Sequence, residues 1–240
     1  MLYILYYGSM VILIPGILFS LWAQFRIKSA YKKYSRITAR SGWTGREMSE
    51  MLLEKYGCNG VAVRRTSGTL TDNYNPSTDI LSLSNDIYDG SDIAALGIAA
   101  HECGHARQKY EGSPLFSLRG ALVTATNIGS IAAVPLEILG IAIEWLSGST
   151  GNIGTVILAI GIFAYSLSTI FALITLPIEI DASRRALKML TETAVLEKTE
   201  IRGAKRVLSA AALTYVASLV VSLLYLLRFL LLITSFRRRD

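Results

Sequence analysis

The chain contains two histidines, and they stand four apart in His101-Glu102-Cys103-Gly104-His105. On a helix of 3.6 residues per turn, positions i and i+4 lie on one face, so both imidazoles can reach a single metal ion. Glu102, one position on, can take a proton from a water on that metal without filling a coordination site. Zinc with three protein ligands and one open position lowers the pKa of its water to about 7, which supplies a nucleophile at neutral pH. Two histidines at this spacing with a glutamate after the first arise by chance on the order of once in a few thousand sequences of this composition. Histidines merely packed in a helix would need neither the spacing nor the glutamate. The motif predicts one Zn2+ per chain. Gly104 costs about 1 kcal/mol in a helix interior, and the cost is explained if another element packs closely there.

A third ligand must come from elsewhere, because no other histidine exists and Cys103 lies off the His101/His105 face. The acidic candidates are Glu111, Glu137, Glu144, Glu179 and Asp181. Glu137 and Glu144 stand in an apolar run leading away from the motif, and Glu111 lies just past the motif helix. Glu179 is the first charge after the next apolar run, which returns the chain to the surface bearing the motif. Its carboxylate is the favoured ligand, with Asp181 behind it. The competing role for both is to mark the water interface or a helix N-terminus after Pro177.

The elements that position these residues can be read outward from the motif. Gly90-Ser91 supplies a stop and an N-cap, and Asp92 suits the positive end of a helix dipole, so the motif helix runs from Ile93 to about Tyr110. Thr44-Gly45-Arg46-Glu47 has the capping-box pattern, predicting a helix to about Tyr56 that ends at Gly57-Cys58-Asn59-Gly60. Val61–Arg65 reads as a strand, Thr71–Pro76 as a turn, and Ile80–Ser84, alternating apolar and polar, as a strand with one buried face. Glu179–Arg206 reads as mostly helical.

The whole chain has 240 residues, 52% hydrophobic and only 18% charged, against roughly 25% charged in soluble domains. Five prolines, 19 glycines and no short repeat argue against disordered, collagen-like and solenoid classes. The net charge of +6 could suggest nucleic acid, but the basic residues sit between long apolar runs, which predicts lipid bilayer and no nucleic acid as partner. Two cysteines cannot build a disulfide framework. A bilayer core of about 30 Å needs roughly 20 apolar residues, and four runs qualify: an uncleaved anchor at 1–24, then 120–146, 153–176 and 207–236. Blocks 25–119 and 177–206 lie between them on one side and carry 13 and 7 of the 24 Lys and Arg. That excess predicts that both face the cytoplasm of a multi-pass cell-membrane protein, with both chain ends outside. Arg237, Arg238 and Arg239 run against this rule. Arg228, the single charge within the fourth span, is expected to pair with Glu137, since spans two and four run the same way and the two residues lie at similar depth.

The run from His101 to Gln108, with Leu70-Thr71-Asp72-Asn73-Tyr74-Asn75-Pro76 and Leu81-Ser82-Leu83-Ser84 before it and Pro177-Ile178-Glu179-Ile180-Asp181-Ala182-Ser183-Arg184-Arg185-Ala186 after it, resembles the bacterial YugP-like neutral zinc metallopeptidases over nearly the whole chain. The span order is similar to that of membrane zinc proteases of the heat-shock and CaaX-processing type, in which two spans separate the metal helix from a Glu-bearing helix. The resemblance implies that His101, His105 and Glu179 are ligands and Glu102 the catalytic base. In those distant relatives an Asp follows the ligand Glu by four residues. Ser183 holds that position here, and Asp181 and Ser183 are the candidates to take its part.

Arg184, Arg185, Tyr74 and Tyr88 are candidates to polarise the scissile carbonyl or stabilise its oxyanion. A solvated basic face is the plainer account of the arginines. Leu81, Ser82, Leu83 and Ser84 could form an edge strand that holds an extended substrate by backbone pairing, or an ordinary structural strand. The expected fold is mainly α, a four-span helical membrane protein with a small α+β zincin-like lobe. The expected activity is that of a gluzincin-like endopeptidase acting on membrane or membrane-proximal proteins. The alternatives are another zinc hydrolase, or an assembly or transport protein with structural zinc. A structural site typically closes with four protein ligands and needs no base, whereas three ligands and Glu102 are evident here.

Overall fold

The computed structural model describes residues 8–146 and 153–237. Met1–Tyr7 of the expected first span, and Arg238 and Arg239 of the basic C-terminus, lie outside the described residues. In chain order the elements are α1 (Ile14–Tyr34), α2 (Gly45–Lys55), β1 (Ala62–Thr66), β2 (Asn73–Asn75), β3 (Ile80–Ser84), α3 (Asn85–Tyr88), α4 (Ile93–Tyr110), α5 (Pro114–Leu146), α6 (Ile153–Glu192) and α7 (Lys198–Arg237). A 3-10 turn, Val11–Leu13, precedes α1. The chain is mainly helical, and α1, α5, α6 and α7 are each long and apolar enough to cross a membrane. It is a multi-pass helical membrane protein with a small sheet.

The chain divides into two compact units. One takes its described residues from 1–22, 118–176 and 215–240. Its helices are apolar all round. Ile128, Ile131, Ile138, Phe163 and Leu230 face outward, as helices surrounded by lipid require. Small residues bring the helices together: a Cβ on Gly129 would lie 2.5 Å from the Ala164 carbonyl oxygen, and one on Gly140 would lie 2.9 Å from that of Gly154. The pairings 129 with 164 and 140 with 154 make α5 and α6 antiparallel. Thr169 with Ser222 (2.7 Å) and Tyr165 with Phe229 do the same for α6 and α7. Helices α5 and α7 therefore run the same way, and Arg228 meets Glu137 at 2.6 Å with both side chains buried.

The other unit comprises Ala23–Ser117 and Pro177–Thr214. The capping box forms as expected: Thr44 Oγ1 accepts from the Glu47 amide and Glu47 Oε2 from the Thr44 amide. The cap of α4 is Asp92, not Ser91. Asp92 Oδ1 accepts from the Ala95 amide at 2.9 Å, whereas the Ser91 carbonyl is used by the Ala39 amide. Helix α4 is buried on nearly every side, with Ala94, Ala95, Leu96, Ala99, Ala100 and Ala106 fully enclosed. Its small side chains let the neighbouring backbones close in.

Two strand assignments are corrected. Thr71–Pro76, expected as a turn, contains β2, because Tyr74 is buried and its backbone pairs with Leu81. The sheet order is β1-β3-β2, with β3 parallel to β1 and antiparallel to β2. Leu81–Ser84 is thus the central strand and not an edge. Leu81 and Leu83 are wholly buried, and Ser84 gives its amide (2.7 Å) and hydroxyl (3.0 Å) to Asp72. Helix α6 also runs on through Pro177, so Glu179 stands on the same helix as the third apolar run and marks no helix N-terminus.

Candidate metal centre

Helix α4 places His101 and His105 one turn apart, with ring centroids 4.7 Å from each other. Helix α6 brings up Glu179. Its Oε2 lies 3.2 Å from His101 Nε2 and 3.4 Å from His105 Nε2. The three ligand atoms fall within 4.8 Å of one another, and Glu179 is 2% exposed. With ligand bonds of about 2.0–2.1 Å, the edge of a zinc tetrahedron is roughly 3.3–3.4 Å, so these separations suit that ion. A buried carboxylate facing two imidazole nitrogens is also the donor set that zinc takes.

Both imidazoles are oriented from behind. Gln108 donates its amide nitrogen to the Ile178 carbonyl (2.9 Å) and to Asp181 Oδ2 (2.8 Å). Its Oε1 is left as the acceptor for His105 Nδ1 at 3.0 Å. His105 then donates from Nδ1, and Nε2 is the ring nitrogen that faces Glu179. His101 Nδ1 lies 3.1 Å from Ser183 Oγ, which aims its Nε2 at the same carboxylate. Ser183 thus touches the histidine from the position that an Asp occupies in the distant relatives. Asp181 is not among the clustered ligand atoms. It accepts from Arg185 Nε at 2.6 Å, and Arg185 also bonds Glu111. Gln108 went unassigned in the sequence, yet it lies three residues after His105 on the same helical face, which is a usable signal.

Glu102 is 8% exposed and lies beside the cluster. Burial pushes its carboxyl up to about 7. His101 works against burial, the Glu179 and Asp72 carboxylates add to it, and the backbone N–H of Tyr74 favours the charged form. The Tyr74 hydroxyl itself donates to Asp79 Oδ1 at 2.5 Å. Arg184 is exposed, and Tyr88 lies under the guanidiniums of Arg46 and Arg65. Cys103 contacts the Ser49 carbonyl of α2, and both cysteines are free. The close approach that Gly104 implied is the α6 backbone at Ala182, 2.6 Å from where a Cβ would stand.

Four helices long and apolar enough to cross a membrane, and a buried group of two imidazoles and a carboxylate that could hold a metal ion, make this a multi-pass membrane protein with a candidate metal site. Residues 9–234 match the family described as "Putative neutral zinc metallopeptidase", and the chain belongs to that family. It is 41% identical over 218 residues to "Putative membrane protease YugP" of Bacillus subtilis (strain 168), covering 91% of this chain and 93% of the relative. No solved structure gives a significant match.

Proposed function

We propose that the protein is an endopeptidase in which His101, His105 and Glu179 hold one zinc ion and Glu102 is the general base. The observation that carries this is the single Glu179 oxygen facing both Nε2 atoms at tetrahedral-edge distances, with Glu102 adjacent. Zinc bound there would acidify a water and polarise a peptide carbonyl. Glu102 would take the proton of the attacking water and pass it to the leaving amine. Gln108 and Ser183 would keep the imidazoles in the ligand tautomer.

An extended substrate would pair with β2, which has β3 on one side only and whose Tyr74 N–H lies by Glu102. Substrates would be membrane proteins or chains near the surface, because the lobe is continuous with membrane-length helices. The basic excess of blocks 25–119 and 177–206 supports a cytoplasmic lobe in a bacterial cell membrane. The test is a proteomic comparison of cells expressing wild type or Glu102→Gln. Substrates should accumulate as intact chains only with the variant, and identical proteomes would count against peptidase activity.

A further inference from the structure

Between α1 and α7, within the unit that carries the metal centre, lies a cleft of about 670 Å³. Its walls are two facing helical stripes. Helix α1 contributes Arg26, Lys33 and Tyr34, and α7 contributes Arg202, Lys205 and Arg206. The spacing on each helix is that of a single face. Five cations line the cleft and no carboxylate does.

Elsewhere in the unit several cations meet carboxylates. Arg65 pairs with Asp89 at 2.7 Å, Lys109 with Asp79 at 2.7 Å and Arg185 with Asp181 at 2.6 Å. Among the described residues Lys33, Arg202, Lys205 and Arg206 form no ion pair. Like charges three and four apart on one helix repel, so Arg202, Lys205 and Arg206 weaken α7 unless an anion lies among them. The cleft is also shaped. A Cβ on Gly203 would lie 2.8 Å from the Tyr34 ring and 3.0 Å from Ile93, so glycine is what lets the ring seat against α7. Seated there, the Tyr34 hydroxyl accepts from Arg206 Nη1 at 3.1 Å and fixes that guanidinium.

The lining identifies the anion. Arg26 is the first charge after the apolar run of α1, and Leu213, farther along α7, belongs to the apolar run that begins at Val207. The lining passes from cationic to apolar where two spans end, which is the level of headgroup phosphates. Ser29 and Ser209 add hydroxyl donors, and the volume is that of a ligand site. We infer that this cleft binds a phosphate-bearing anion, the headgroup of an anionic phospholipid, with an acyl chain along Leu213.

The test uses the full-length protein in mixed micelles with radiolabelled phosphatidylglycerol or phosphatidylcholine of the same acyl chains. Phosphatidylglycerol should bind saturably and at least tenfold more tightly. The triple variant Lys33→Gln, Arg202→Gln, Lys205→Gln should lose about a hundredfold in affinity, as expected for three surface charges. An unchanged thermal midpoint, or the single variant Lys205→Gln with a partial loss, shows that the loss is local. The control Lys28→Gln, Lys32→Gln, Arg36→Gln removes as many charges from beside the cleft and should change affinity less than threefold. Competition with inorganic phosphate separates the sources: no displacement at millimolar concentration assigns the cleft to lipid, and displacement assigns it to soluble phosphate. Equal binding of the two lipids, or equal loss in the control variant, would overturn the inference.

Discussion

Gly104 and Ala182 are in backbone contact: a Cβ on the glycine would stand 2.6 Å from the alanine's carbonyl oxygen. Gly104 adjoins His105, and Ala182 lies one turn beyond Glu179, so this approach sets the distance between the imidazoles and the carboxylate. Gly104→Ala should push α6 away and weaken zinc binding at least tenfold. Gly97→Ala, whose Cβ would meet that of Ala204 at 3.3 Å, should cost far less. Helix propensity alone would favour alanine at either site by roughly 1 kcal/mol, so a loss at 104 reports the contact. Zinc titration against a chelator reads both variants, and equal affinities would remove the spacing argument.

Gln108 and Ser183 hold the far nitrogens of the two imidazoles. Such partners typically contribute 10- to 100-fold in metal affinity. Gln108→Leu and Ser183→Ala should each weaken zinc by about that factor, while Arg184→Gln, on an exposed side chain, should leave it unchanged. Wild-type affinity in both Gln108→Leu and Ser183→Ala would mean that the imidazoles need no orientation from behind.

The helical part of this site is legible in the sequence because its spacing is local. His101 and His105 share a face by helix geometry alone, and Gln108 continues that face. Ser183, one turn beyond Glu179, follows the same rule. What is not legible depends on distant pairing. Asn73–Asn75 has the composition of a turn and becomes a strand only because Ile80–Ser82 is there to pair with it. That pairing moves the sheet edge from β3 to β2. Pro177 reads as a helix boundary, yet the helix continues, as helices of membrane-length segments can when neighbours satisfy the freed backbone. The Glu137–Arg228 pair was legible because a charge in hydrocarbon calls for a partner at its own depth.

Asp79 ties the sheet to the end of α4 through Lys109 Nζ at 2.7 Å and the Tyr74 hydroxyl. Lys109 and then Tyr74 hold its carboxyl below the usual range. A depressed pKa contributes stability that is present above the unfolded value and lost as pH falls through the folded one. Asp79→Asn should therefore lower the thermal midpoint at pH 6, with the difference shrinking as pH falls below the ordinary aspartate value of about 3.9. Asparagine tolerates the positive φ of 52° at this position, which keeps the comparison clean. A difference that stays constant as pH falls from 6 through the carboxylate range would show that the charge is not its source.

Arg228 and Glu137 should be coupled. Removing one partner of a buried pair costs on the order of 3–5 kcal/mol, because the other charge is left uncompensated. Glu137→Gln and Arg228→Gln should thus be non-additive by more than about 1 kcal/mol in a double-mutant cycle on unfolding in detergent. Strict additivity would deny the contact.

If Glu102 acts on water at a centre it does not help to hold, its removal should separate zinc binding from hydrolysis. The direct measurement is zinc content and peptide turnover in one preparation of Glu102→Gln. The expected result is one zinc per chain with turnover lowered by at least about 10²- to 10⁴-fold, the usual contribution of a general base. Turnover near wild type with zinc bound would rule out Glu102 as the base.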